Sequence, residues 1–171
     1  MLAAVNARDA GLTLDQCCDA VVTSVRSTRF LFAPESLRFL KAGGRIGSAA
    51  ALLGSLMKLC PIITVRNGES ATFAKVRTHQ KALDTITKAF KQEIDAYGLK
   101  NVMVHYIGSP DEALAWARDV IGPLCGREVA VTPVSPVIGL HVGPAVGVAY
   151  ECACEIPEKV TMHNPQLVYA S

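Results

Sequence analysis

The residues best suited to chemistry fall in a few short segments. Lys41-Ala-Gly-Gly-Arg-Ile-Gly-Ser48 sets glycines ahead of an Ala-rich stretch. Free amides at a helix start attract anions, and Arg45 adds a fixed cation. The spacing is neither a Walker loop nor a dinucleotide fingerprint; the plain alternative is a solvated turn between two helices. Gly139-Leu-His-Val-Gly-Pro144 places His141 in a Gly-rich loop before a strand. An imidazole there can come close to a ligand, donate to a carboxylate or pass a proton; the alternative is an idle surface turn. Lys75, Arg77 and Lys81 cluster where a strand meets a helix, as a solvated face or as a docking patch for an acidic or phosphate-bearing partner. His79 sits in a basic helix start and His105 alternates with apolar strand residues, so both read as structural. Cys152-Ala-Cys154 would put two thiols on one face of a strand, but the second ligand pair is missing and no metal centre is expected. No nucleophile elbow and no spaced carboxylate pair supports hydrolysis.

These segments need a scaffold, and periodicity supplies one. Residues 1 to 10 begin inside a helical pattern that Gly11 ends, which reads as the tail of a helix whose start lies elsewhere. Thr13 with Gln16 forms a capping box for a helix carrying Leu14, Cys17, Cys18, Val21, Val22 and Val25 on its apolar side, with the two cysteines facing the core. Arg29 to Ala33 reads as a short buried strand, Pro34 to Ala42 as a helix and Ile46 to Met57 as a second, Ala-rich helix. Cys60 to Val65 and Ser70 to Val76 flank Asn67-Gly68, a strong hairpin signal. A long amphipathic helix follows from Thr78 to Gly98. Strand Asn101 to Ile107 precedes a helix capped by Ser109, with Pro110 in its first turn, running to about Ile121. Arg127 to Pro133 and Ala145 to Glu151 complete a set of six strands, with a helical turn opened by Ser135-Pro136 between them. The interrupting hairpin breaks strict alternation, so the expected fold is α/β with two layers: a mixed six-stranded sheet with helices packed on it. Residues 1–151 form one domain in this reading and 152–171 a peripheral tail.

Bulk properties exclude several function classes. The chain has 171 residues, a net charge of +2, and is 50% apolar and 19% charged. That is enough to bury one sizeable core and too apolar for extensive disorder. The balanced charge gives no dense basic face for nucleic acid. The longest apolar stretch, Ile46 to Met57, is too short and too rich in Ala, Gly and Ser to span a bilayer. No signal pattern opens the chain, so the six cysteines are expected as reduced thiols in a cytoplasmic protein.

Taken together, Phe39-Leu-Lys-Ala-Gly-Gly-Arg-Ile-Gly-Ser-Ala-Ala-Ala-Leu-Leu-Gly-Ser55, Pro61-Ile-Ile-Thr-Val65, Lys75-Val-Arg-Thr78 with Lys81-Ala-Leu83, and Ser135-Pro-Val-Ile-Gly-Leu-His-Val-Gly-Pro144 resemble the DegV family of bacterial fatty-acid-binding proteins. The resemblance covers about residues 1 to 150 and only the family's C-terminal domain; the Rossmann-like N-terminal domain has no counterpart here. It implies a mixed six-stranded sheet that holds the tail of one long-chain fatty acid. It also implies a carrier subunit, not a catalyst, presenting the carboxyl to a dihydroxyacetone-kinase-like fatty acid kinase that forms an acyl phosphate. By motif, Arg45 and Arg77 resemble cations that engage the kinase, and His141 the headgroup-side histidine. Leu140 and Val142 stand where many members have Thr, and Ala145 replaces a glycine. Leu52, Leu53, Leu56, Ile62 and Ile63 are expected walls of the slot, with Ala49, Ala50 and Gly54 leaving room for the tail. No cofactor or metal is implied. A lone domain would expose an apolar patch, covered by homo-oligomerisation or by the chain's own tail. The rivals are a structural interaction module that keeps the fold without lipid, and an enzyme acting on a small anion at Arg45 and His141.

Overall fold

The computed structural model describes residues 2–52, 59–66 and 68–157, with only the backbone of 51 and 52. Two helices, α1 (Leu2–Asp9) and α2 (Leu14–Ser27), open the chain, followed by β1 (Thr28–Pro34) and α3 (Arg38–Ala42). A 3-10 segment (Gly47–Leu52) leads towards β2 (Cys60–Arg66) and β3 (Glu69–Val76). Then come α4 (His79–Tyr97), β4 (Leu99–Ile107), α5 (Asp111–Trp116), a π-helical turn (Ala117–Ile121) and α6 (Gly122–Cys125). β5 (Ala130–Pro133), α7 (Pro136–Val142) and β6 (Ala145–Cys152) finish the fold.

The strands form one sheet in the order β3-β2-β1-β6-β4-β5. All pairings are antiparallel except β4–β5, whose crossover carries α5, the π turn and α6. The mixed sheet is the expected one. The larger core lies beneath α4, where Leu31, Ile62, Val104, Val148 and Tyr150 meet Leu83, Ile86 and Phe90. A smaller cluster of Phe32, Leu40, Ala49, Ile63, Val142 and Ala145 lies on the opposite face under α3, the 3-10 segment and α7. Strand side chains alternate between faces, so each strand feeds both clusters.

Local capping chemistry follows the sequence closely. Thr13 Oγ1 accepts from the Gln16 amide at 3.4 Å while Gln16 Oε1 accepts from the Thr13 amide at 2.9 Å. Thr78 Oγ1 caps α4 by accepting from the Lys81 amide at 3.2 Å. Beneath α4 the Glu93 carboxylate is buried, paired with Arg29 at 3.2 Å and accepting from the Tyr150 hydroxyl at 2.7 Å. Loss of solvation, with the charge and hydrogen bond of the Glu93 carboxylate, pushes the Tyr150 phenol well above its ordinary value.

Several expectations are corrected. Pro34 ends β1 rather than opening a helix. The β1–β2 pairing involves Leu31 and Phe32, so Pro34 has a strand neighbour only in β6, opposite Ala145, and its missing N–H costs nothing on the open side. The stretch after Ile46 starts as a 3-10 segment, not an α-helix: Gly47 lies so close to the Ser70 carbonyl of β3 that a Cβ there would collide with it. Residues 53–58 lie outside the described residues. Pro110, not Ser109, is the cap residue of α5; Ser109 Oγ instead accepts from the Asp111 amide at 3.3 Å. Cys18 is exposed and Cys17 only half-buried, because α2 shows most of its apolar side to solvent. Residues 152–157 are not peripheral: Ala153, Cys154 and Ile156 donate to the carbonyls of Gly98, Tyr97 and Arg26, and Ile156 is buried.

Candidate functional site

Two motifs nearly a hundred positions apart meet at the contact between α3 and α7. The His141 ring packs over Gly43 at the end of α3, where any Cβ would collide with Nδ1. Reciprocally, the Phe39 ring packs over Gly143 at the end of α7, again in the space a Cβ would need. Each glycine thus receives a ring from the other helix. Nδ1 of His141 is buried without a hydrogen-bond partner among the described residues. Arg45 is exposed and its Nη1 donates to the Gly43 carbonyl at 3.4 Å. Gly43 therefore touches both predicted site residues.

Beneath α7 the sheet forms a narrow apolar pocket with an interior of about 20 Å³, room for about one water molecule. Its floor follows from strand alternation. Phe32, Gly147 and His105 lie side by side across β1, β6 and β4, and Pro34, Ala145 and Ile107 form the next rung. Phe30, Ala149 and Met103 form the rung on the other side. The small residues of β6 make a shallow trough between larger walls. Gly147 permits it: a Cβ there would lie 2.6 Å from the Leu31 carbonyl oxygen and from Phe32 Cβ. Ile138 and Val142 of α7 form the roof. Away from the roof the trough opens, and Met103 is 38% exposed.

His105 is the polar residue that sequence reasoning set aside. Its ring lines the cavity edge-on to Phe30, with centroids 5.7 Å apart. Burial lowers its pKa below the ordinary value, partly opposed by a hydrogen bond to the Thr132 backbone, so the neutral imidazole is favoured. The signal for the trough was present in the sequence: Ala145, Gly147 and Ala149 recur at period two, a spacing that puts small residues on one strand face.

Ile62 faces the core beneath α4, on the far side of the sheet from this cavity, whereas Ile63 joins Phe32 and Val142. Ala49 is fully buried in that same cluster and Ala50 is exposed. The Leu52 side chain, Leu53, Gly54 and Leu56 lie outside the described residues. Leu140 is 77% exposed, so the roof helix presents it outward.

A second, more polar cleft of about 460 Å³ at the end of the sheet is lined by Pro34 of β1, Cys60 of β2 and Ala145 of β6. It shares Ile107, Ala145 and Val146 as walls with the apolar cavity. His79 pairs there with Glu112 at 2.9 Å, so this histidine ties the start of α4 to the start of α5. Arg77, Lys75 and Lys81 are all exposed around the β3–α4 junction at that end. Cys152 is buried, and desolvation together with the Glu93 charge pushes its thiol up to about 11, which works against a metal-binding thiolate. Among the described residues no His, Cys, Asp and Glu group is arranged to hold a metal ion, and no helix is long and apolar enough to cross a membrane.

Comparison with known proteins places this arrangement. The family model described as "Uncharacterised protein, DegV family" matches residues 1–152. A DegV domain-containing protein of Clostridium acetobutylicum is 39% identical over 150 residues, covering 87% of this chain and 52% of the relative. One from Clostridium perfringens is 36% identical over 151 residues, covering 88% and 53%. The chain spans about half the length of the curated relatives it matches. Among solved structures, a fatty-acid-binding DegV family protein from Thermus thermophilus aligns with a TM-score of 0.73 and 31% identity, over 88% of this chain and 55% of that one. A stearic-acid-binding protein from Eubacterium ventriosum aligns with a TM-score of 0.72 and 26% identity, over 87% and 53%. A family match across both helical layers and every strand of the sheet leaves one assignment: the chain belongs to the DegV family.

Proposed function

We propose that this chain is the lipid-holding half of a fatty-acid carrier, equivalent to the family's C-terminal domain. The acyl tail lies along the Ala145-Gly147-Ala149 trough under α7, and the carboxyl points towards His141 and Arg45. The observation that supports this reading is the apolar lining between the sheet and α7, in a fold whose relatives are described as fatty-acid-binding; the pocket itself has an interior of about 20 Å³, so the tail enters only as α7 lifts from the sheet. Burying about 15 methylenes at ~0.8 kcal/mol each contributes roughly 12 kcal/mol gross, and ordering the ligand offsets much of it. Such a site needs many apolar walls and few polar anchors.

In this reading the chain is a non-catalytic cytoplasmic subunit. It offers the bound carboxyl to a dihydroxyacetone-kinase-like fatty acid kinase, with Arg45 and Arg77 as the docking cations. The free thiols fit a reducing compartment. The test is organic extraction of the natively purified full chain, followed by mass spectrometry. A stoichiometric long-chain fatty acid is the expected result. An empty extract from protein that also fails to bind added oleate would refute the carrier role and leave a structural module.

A further inference from the structure

The trough has a length as well as a floor, and strand register sets it. Its apolar floor runs along β6 from Ala145 through Gly147 to Ala149. The next rung on the same face joins Thr28 of β1, Glu151 of β6 and Asn101 of β4, and it is polar. The Glu151 carboxylate is firmly held. Oε1 accepts from Lys100 Nζ at 2.8 Å and from the Ser24 hydroxyl of α2 at 3.2 Å, and Oε2 accepts from Asn101 Nδ2 at 2.9 Å. Consecutive strand residues ordinarily point to opposite faces; the register shift between Leu99 and Asn101 lets Lys100 and Asn101 reach the same carboxylate.

The Glu151 side chain is only 15% exposed. Burial works against its charge, but the hydrogen bonds from Lys100 and Asn101 outweigh it and hold the carboxyl below the usual carboxylate range. Hydrocarbon gains nothing against a charged group whose donors it cannot replace. Glu151 stands about 20 Å from Ala145 along β6, six residues at ~3.4 Å each. An extended alkyl chain advances about 1.3 Å per carbon, the projection of a ~1.5 Å bond. From the Ala145 rung to the carboxylate there is therefore room for about 16 carbons.

We propose that Glu151 is a specificity-determining residue that sets the upper acyl length: saturated chains of up to about 16 carbons lie along the trough, and longer ones run into the polar rung. The proposal rests on the carrier reading above, with the carboxyl at the His141 end. Displacement of a fluorescently labelled fatty acid from the full chain, by saturated acids of about 12–20 carbons, reads the limit. Each methylene that finds an apolar wall tightens binding about fourfold. In the parent, affinity rises with length to about 16 carbons and then levels off. Glu151→Leu adds an apolar rung, so the 18-carbon acid then binds about tenfold tighter than the 16-carbon one. Met103→Glu brings a charge one rung inward and shortens the limit by about five carbons. Met103 is 38% exposed, so this second variant keeps the fold, and melting curves certify both. A limit that stays at the parent's length in either folded variant would overturn the proposal and leave the carrier reading standing. A parent that binds no acid of any length would overturn both.

Discussion

Replacing Gly147 with alanine tests the trough at its tightest point. The substitution has two opposing effects. In an ordinary strand, Gly→Ala stabilises by about 0.4–1 kcal/mol, because the unfolded chain loses freedom. Gly147 is not ordinary, since a Cβ would stand 2.6 Å from the Leu31 carbonyl oxygen and from Phe32 Cβ, and 3.0 Å from Phe32 Cα. Relief requires β1 and β6 to separate, and β1 is held to β6 from Thr28 through Pro34 while also pairing with β2. Overpacking of this kind costs about 1–3 kcal/mol. The net expectation is a loss of about 1–2 kcal/mol. For a chain of this size that is a fall in Tm of roughly 2–8 °C, read by calorimetry and circular dichroism on lipid-free protein. The same methyl group fills the trough floor, so retention of added oleate falls as well. A Tm equal to or above that of the parent would refute the close approach of β1 and β6, and with it the physical basis of the trough.

Glu93→Gln removes the carboxylate that pairs with Arg29 and accepts from Tyr150; the expected loss is about 3 kcal/mol, measurable by urea unfolding. His105→Phe should flatten the acid side of the stability profile. Burial holds the His105 pKa below 6.5, so its contribution is complete above that pH and is lost as the pH falls below it, where the unfolded state takes the proton more readily. Melting curves from pH ~7.5 to ~5.5 should show the parent losing more stability than the variant. Arg77→Ala, at an exposed position, should leave oleate binding and Tm unchanged but lower phosphorylation by a fatty acid kinase about tenfold, a scale that losing one charged contact can supply; an unchanged rate would remove its docking role.

How much of this was legible depended on the range of the interaction. Thr13 with Gln16 and Thr78 with Lys81 settle helix starts within one turn, so residue type and spacing are enough. The two sides of the hairpin pair from Arg66 with Glu69 outward, as two adjacent alternating runs require. Pro34 and the stretch after Ile46 read poorly for the opposite reason. Local propensity allows a helix at both, and contacts with Ala145 and Ser70 from distant strands decide against it.

The sequence by itself determined the six strands, the mixed sheet, the family and the two glycine-flanked motifs, because those rest on periodicity and short-range pattern. Only the tertiary structure decided that His141 leans on Gly43 while Phe39 leans on Gly143, that Ile62 and Ile63 serve opposite faces, and that His105 borders the apolar pocket under α7. It also decided that a trough exists at all. A trough is a relation between neighbouring strands, and strand order and register are set by which faces bury together, a condition no single segment carries.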